Sequence, residues 1–195
     1  MGLRAMRLIL ASASPRRRDL LARIGVAVAA VDPAEIDETP LPNEKPADYA
    51  RRIAAAKATM VAPRHAGAVV LAADTVVAAG RRILPKAENE AQVRACLELL
   101  AGRRHHVLSA VTVVDAQGVA RHRLSDTIVT FGPLSAATIQ AYAASGEGVG
   151  KAGGYAIQGR AEAFVRFLSG SHSGVVGLPL FETRALLIAA GVSLG

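Results

Sequence analysis

The 195-residue chain has no tryptophan, one cysteine and only 4% aromatic residues. Its lone Cys96 excludes an intrachain disulfide and, within a helical pattern, reads as a small core residue rather than a catalytic thiol. The shortage of aromatics leaves few platforms on which single-stranded nucleic acid would stack. No apolar run approaches the roughly 20 residues of a membrane-spanning helix. Arg4 and Arg7 precede a short apolar run and Ala11-Ser12-Ala13 closes it, in the manner of a signal peptide. That run is too short for an export signal and arginines follow it at once, so a cytoplasmic protein without a membrane partner is expected. No internal repeat, low-complexity tract or linker interrupts the chain, and residues 1–195 read as a single domain.

Hydrophobic residues make up 51% of the chain and charged residues 20%, which supports a sizeable core built from Ala, Val, Leu and Ile. The formal net charge is +7. Such a charge suits either nucleic acid or a small, highly anionic ligand. The arginines are scattered rather than gathered into one tract, which favours the small anion and disfavours nucleic acid.

Short apolar runs alternate with helical patterns, so the expected class is α/β with a mixed central sheet flanked by helices. Leu8–Ala11 reads as a buried strand, followed by a helix that Ser14 caps and Pro15 opens. Gly25 stops that helix, and Val26–Val31 reads as a second strand. A polar loop from Asp32 to Asn43 carries three prolines and the acidic group Glu35, Asp37, Glu38. A helix follows from Pro46 to about Val61. The apolar stretch Ala68–Ala79 is a strand with Asp74-Thr75 inside it. Asn89 and Ser135 are expected to cap two further helices, and Asp115–Gly118 to turn a hairpin between two long strands. Gly146–Gly159 and Gly170–Gly177 read as loops of small residues, and Leu178-Pro179 opens the last helix.

Two features point to chemistry. Arg16, Arg17 and Arg18 crowd the first turn of a helix, where the dipole already makes the end positive. With free backbone N–H groups and the hydroxyls of Ser12 and Ser14, that spot suits a polyphosphate, or else it is a solvated basic turn. Ser12 either bonds phosphate or merely caps the turn. Asp74 lies in an apolar run, where a carboxylate is costly unless paired or metal-bound; the alternative is a strand-end turn residue. Lys57 and Lys86, taken alone, read as solvated surface lysines, and Glu38 as a loop charge. His105 and His106 are adjacent on a strand and point to opposite faces, so they do not share a metal.

Four segments in order resemble the Maf family of nucleoside triphosphate pyrophosphatases: Leu10–Arg17 (LASASPRR), Leu71–Val77 (LAADTVV), Gly150–Gly159 (GKAGGYAIQG) and Val175–Leu180 (VVGLPL). The resemblance covers nearly the whole chain. It implies two lobes around a deep nucleotide-binding cleft, related to the ITPase-like folds. It also implies hydrolysis of a nucleoside triphosphate to the monophosphate and pyrophosphate, with Mg²⁺ or Mn²⁺. Asp74 falls at the family's catalytic base and Glu38 at the acidic residue that ends its Ile-Asp-Glu segment; as carboxylates, both suit a hard metal cation. Arg16, Thr75 and Gln158 fall at the family's specificity positions; Arg17, Lys57 and Lys86 match its motif residues and, with Ser12, are expected to bind substrate. Ala87 replaces the proline of the family's Lys-Pro pair. The loop Lys151–Gly159 resembles the subfamily acting on dTTP, UTP and modified pyrimidine analogues, which would remove non-standard nucleotides. A homodimer and a link to septum formation are family-level expectations. The alternatives are the same reaction on CTP or 7-methyl-GTP, or a non-enzymatic module binding nucleic acid or a division protein.

Overall fold

The computed structural model describes residues 6–194, so Arg4 lies outside the described residues. Within them one mixed sheet contains β1 (Leu8–Leu10), β2 (Ala30–Val31), β3 (Val69–Ala79), β4 (Arg82–Leu84), β5 (Arg104–Val114), β6 (Ala120–Phe131) and β7 (Val165–Ser169). The helices are α1 (Pro15–Arg23), α2 (Pro46–Val61), α3 (Glu90–Leu100), α4 (Ala136–Ala144), the short α5 (His172–Val176) and α6 (Leu180–Ala189). The strand order is β2-β1-β3-β5-β6-β7, with β4 also on β3. β1 pairs in parallel with β2 and β3, and the remaining pairs are antiparallel.

β3 is apolar on both faces because both are covered. Val70, Ala72, Val76 and Ala78 meet the layer that includes α2. Val69, Leu71 and Ala73 pack with α1 and α6, whereas Val77 packs with α3 and α4. These two helical groups form the two lobes, and they part opposite Thr75. The edge of β3 parts there too. β1 pairs with Val69–Leu71 and β4 with Val77–Ala79, so among the described residues 72–76 have β5 on one side and no strand on the other. The cleft is this gap, and Asp74 and Thr75 sit in its middle.

Most local expectations match the fold. Gly25 ends α1 at φ +71°, a conformation that costs glycine little. The side chains of Asn89 and Ser135 accept hydrogen bonds from Gln92 N at 3.0 Å and Thr138 N at 3.1 Å. The Asp115 carboxylate accepts two backbone N–H bonds that shape the β5–β6 turn. No described helix is long and apolar enough to cross a membrane.

Four details differ. Only Ala30–Val31 of the expected Val26–Val31 strand pairs, because Val26 N–H instead returns to Leu21 O at the end of α1. Ser14 stands at the α1 N-cap position, but its side chain makes no capping bond; its own N–H donates to Ser12 Oγ at 3.3 Å. Residues 170–177 are not all loop, since Ser171 Oγ accepts from Gly174 N at 2.9 Å and starts α5. The last helix begins at Leu180, whose N–H is taken by Ser173 Oγ at 3.0 Å.

Candidate active site

The sequence places Lys57 four residues after Ile53 and eight after Tyr49, on the face of α2 that meets the sheet. Its ammonium is therefore buried rather than solvated, which corrects the surface reading; the residue is 7% exposed and Asp74 is 3% exposed. Lys57 Nζ lies 2.8 Å from Asp74 Oδ1 and 2.7 Å from Glu38 Oε1. Lys86 Nζ donates to the other Glu38 oxygen, Oε2, at 2.7 Å. Two carboxylates and two ammonium groups thus alternate in a chain across the cleft. Asp74 is in the interior of β3, not at a strand-end turn, and Lys57 is the partner that makes its burial tolerable.

Glu38 reaches this position because its loop is tied to α2. Tyr49 Oη donates to the Glu38 carbonyl at 2.7 Å. Arg52 holds both Glu44 carboxylate oxygens, each at 2.7 Å, and the Thr39 carbonyl at 3.1 Å. Burial alone pushes the Glu38 carboxyl up, but Lys57 and Lys86 outweigh it and hold the carboxyl at about 2, against an ordinary 4.5. A depressed carboxyl stabilises the fold above its unfolded value, and that contribution is lost as pH falls from 4.5 towards 2. Glu38→Gln is therefore expected to cost urea stability at ~pH 6, with the gap from wild type closing by ~pH 2.5. Urea titrations at both pH values check this; a gap that does not narrow overturns it.

The opposite wall joins the two ends of the chain. Arg17 Nη1 donates to Ser12 Oγ at 2.8 Å and Arg17 Nε to the Gly177 carbonyl at 2.9 Å. Ser12 therefore both receives the Ser14 N–H and fixes a guanidinium. Thr75 Oγ1 lies 3.0 Å from Ser109 Oγ and donates towards Gly177 O at 3.4 Å, while Ser109 Oγ donates to Gly174 O at 2.7 Å. Burial lowers the pKa of both Arg16 and Arg17, and Arg17 also feels the Arg16 charge. Both nevertheless remain guanidinium cations at neutral pH.

The glycine-rich stretch forms the third wall. It is welded to the residues after β4: Lys86 bridges Ala152, Ala87 N–H donates to Lys151 O at 3.1 Å, and Gly150 N–H donates to Ala87 O at 2.7 Å. Gly153 and Gly154 have φ of +68° and +69°, and a Cβ on Gly153 would sit 2.8 Å from the Val77 side chain. Glu147 fastens the far end, accepting from Arg160 N at 2.8 Å. Tyr155 anchors the middle, its hydroxyl 2.9 Å from His105 Nε2. Burial depresses His105 to about 4, so the ring is neutral at pH 7 and serves as packing against Phe131 and Tyr155. His106 faces the other way, onto Asp126 at 2.7 Å.

These walls enclose a cavity of about 430 Å³. Ser12, Arg16, Arg17, Glu38, Lys57, Asp74, Thr75, Lys86 and Gln158 all line it. A second hollow of about 520 Å³ shares Glu38, Asp74, Thr75, Lys86 and Ala152 with it. Sequence reasoning anticipates Glu147 as a support of the glycine-rich loop, and misses Ser109 and Tyr49. Ser109 carries no motif signal, since its acceptor lies 65 positions away. Tyr49 is visible only as an apolar position on α2.

A cleft at a break in the sheet, lined by five cationic side chains and two carboxylates, is a receptacle for a compact polyanion. The chain matches the family model described as Maf-like protein over residues 7–190, and it belongs to that family. It is 66% identical over 188 residues to the dTTP/UTP pyrophosphatase of Sphingopyxis alaskensis, covering 96% of this chain and 98% of that one. It is 61% identical over 184 residues to the dTTP/UTP pyrophosphatase of Rhodospirillum rubrum, covering 94% and 88% respectively. Among solved structures, a nucleoside-triphosphatase / dITP/XTP pyrophosphatase from Mycobacterium abscessus aligns with a TM-score of 0.45 at 20% identity, covering 67% of this chain and 76% of that chain.

Proposed function

We propose that this chain hydrolyses dTTP and UTP to the nucleoside monophosphate and pyrophosphate, and acts on modified pyrimidine analogues in the same way. The observation that carries the reading is the buried Glu38–Lys57–Asp74 chain set in the wall of a cation-rich cleft. Arg16, Arg17 and Lys86 neutralise the triphosphate, whose charge would otherwise repel an attacking oxygen. Asp74 orients a water and takes its proton as the oxygen bonds to the α-phosphorus. The bond from that phosphorus to the bridging oxygen breaks, and pyrophosphate leaves with the electron pair, its charge held by the cations around it. Lys57, 2.8 Å from Asp74 Oδ1, keeps that carboxylate aimed before substrate arrives.

The donor set also fits a hard divalent cation. Glu38 and Asp74 offer carboxylate oxygens on one wall, and no cluster of three or more His, Cys, Asp or Glu side chains occurs among the described residues. One or two carboxylates completed by phosphate oxygens and water is the arrangement Mg²⁺ prefers, and Mn²⁺ accepts the same ligands. Bound there, the ion would neutralise phosphate charge and lower the pKa of a coordinated water.

Gln158 is exposed in the glycine-rich wall and offers both a donor and an acceptor, the pair needed to read a pyrimidine edge. The test is a panel of nucleoside triphosphates with Mg²⁺ or Mn²⁺, measuring monophosphate and pyrophosphate separately. Both products are expected from dTTP and UTP. Gln158→Leu is expected to lower their kcat/KM by about 10- to 100-fold and to narrow the preference over CTP, as a lost base contact does. Turnover of 7-methyl-GTP or CTP in preference would overturn the pyrimidine assignment. No turnover by folded, metal-supplemented protein would favour a binding module.

A further inference from the structure

Five cations line the cavity, but they are not equally committed. Lys57 and Lys86 are paired with Glu38 and Asp74. Arg17 gives two of its five donors to Ser12 and the Gly177 carbonyl. Arg16 and Lys151 are different, because neither forms an ion pair with any described carboxylate. Lys151 Nζ donates only to a carbonyl of its own loop, Val149 O at 3.2 Å, which leaves two of its three donors for another acceptor.

Lys151 is also well placed and well held. Its carbonyl accepts the Ala87 N–H and the neighbouring Ala152 bridges Lys86, so Lys151 rides on the same backbone join as the lysine that grips Glu38. Arg16 stands at the start of α1, on the facing wall of the same cavity. Burial and the Arg16 charge both push the Lys151 ammonium below the ordinary lysine value. Two like charges held across a cleft cost free energy until an anion lies between them.

From this placement we infer that Lys151 is a further substrate-binding residue, which together with Arg16 clasps the phosphate chain of the nucleotide from the glycine-rich side. The inference rests on the nucleotide reading above. It assigns to that loop a second task besides presenting Gln158. It also explains why the loop is bolted to the β4 extension instead of hanging free: a phosphate contact needs a fixed donor, and a mobile lysine would lose side-chain entropy on binding.

The test uses the intact protein, with dTTP turnover and the binding of inorganic tripolyphosphate followed by calorimetry. Lys151→Met is expected to raise KM for dTTP by about 10-fold or more with a much smaller change in kcat, to weaken tripolyphosphate by a similar factor, and to flatten its salt dependence. Lys151→Arg is expected to restore most of the affinity, which a purely structural role would not predict. Thermal melting of the free proteins guards against misfolding. Unchanged KM and unchanged tripolyphosphate affinity in a folded Lys151→Met variant would overturn the proposal while the wild-type turnover left the pyrophosphatase reading intact. Conversely, a wild type that bound tripolyphosphate through Lys151 but turned over no nucleotide would sink the catalytic reading and leave the anion clasp standing.

Discussion

Asp74→Asn is expected to reduce kcat for dTTP by about 10²- to 10⁴-fold, the range that loss of a positioned general base produces. Asparagine has nearly the shape of aspartate but cannot accept the proton of an attacking water. Its amide oxygen still accepts from Lys57, which lies 2.8 Å from the native carboxylate oxygen and retains Glu38 as a second partner. The fold should therefore survive, with a loss of about 1–3 kcal/mol for the weakened buried contact. Pre-steady-state measurement of pyrophosphate release separates the chemical step from product release, and urea titration follows the fold. A variant that keeps more than about a tenth of the wild-type rate would rule Asp74 out as the base.

Lys57→Met should have the largest effect on stability. Methionine fills much of the same volume, so the loss is electrostatic rather than a cavity. Glu38 and Asp74 would then share one wall with no cation between them, although Lys86 still reaches Glu38. Removing one member of a buried ion pair costs about 3–5 kcal/mol, because the stranded charge keeps its desolvation penalty. Catalysis should fall as well, since Asp74 loses the group that aims it. A Lys57→Met/Asp74→Asn double variant is expected to be less destabilised than the sum of the two changes. Strict additivity in urea unfolding would mean that the short contact carries no coupling energy.

Much of the site was legible because its cost was legible. A carboxylate within Ala72-Ala73-Asp74 is costly unless it is paired, metal-bound or at a strand-end turn, and a run of arginines after Ser-Pro is badly placed for a plain helix. The mixed sheet flanked by helices followed from alternating apolar patterns, the two lobes only from the family resemblance, and the order of strands is set by pairings between distant segments. The hidden part lies in which partner each group takes once the chain is folded. Lys57 resembles any helical lysine until α2 is laid on the sheet. Val26 has the composition of a strand residue, yet the C-terminal turn of α1 claims its N–H. Ser14 has the sequence of a cap, but Ser12 accepts its N–H, and Arg17 takes the same hydroxyl. Only Lys57 needed a distant partner, 17 positions away; for Val26 and Ser14 a nearby acceptor, Leu21 O or Ser12 Oγ, took the N–H that the local pattern assigned elsewhere.

The bond from Arg17 to the Gly177 carbonyl spans 160 positions of the chain. A ribosome delivers Gly177 160 residues after Arg17, at about 5–20 residues per second. Throughout most of synthesis the basic first turn of α1 lacks the carbonyl that orients it, and Thr75 and Ser109 lack the segment they hold. No nascent fragment stopping short of Gly177 has a finished cleft. The segment around Gly177 is therefore the piece that completes the cleft, and a fragment stopping short of it is expected to lack the bonds that orient Arg17, Thr75 and Ser109.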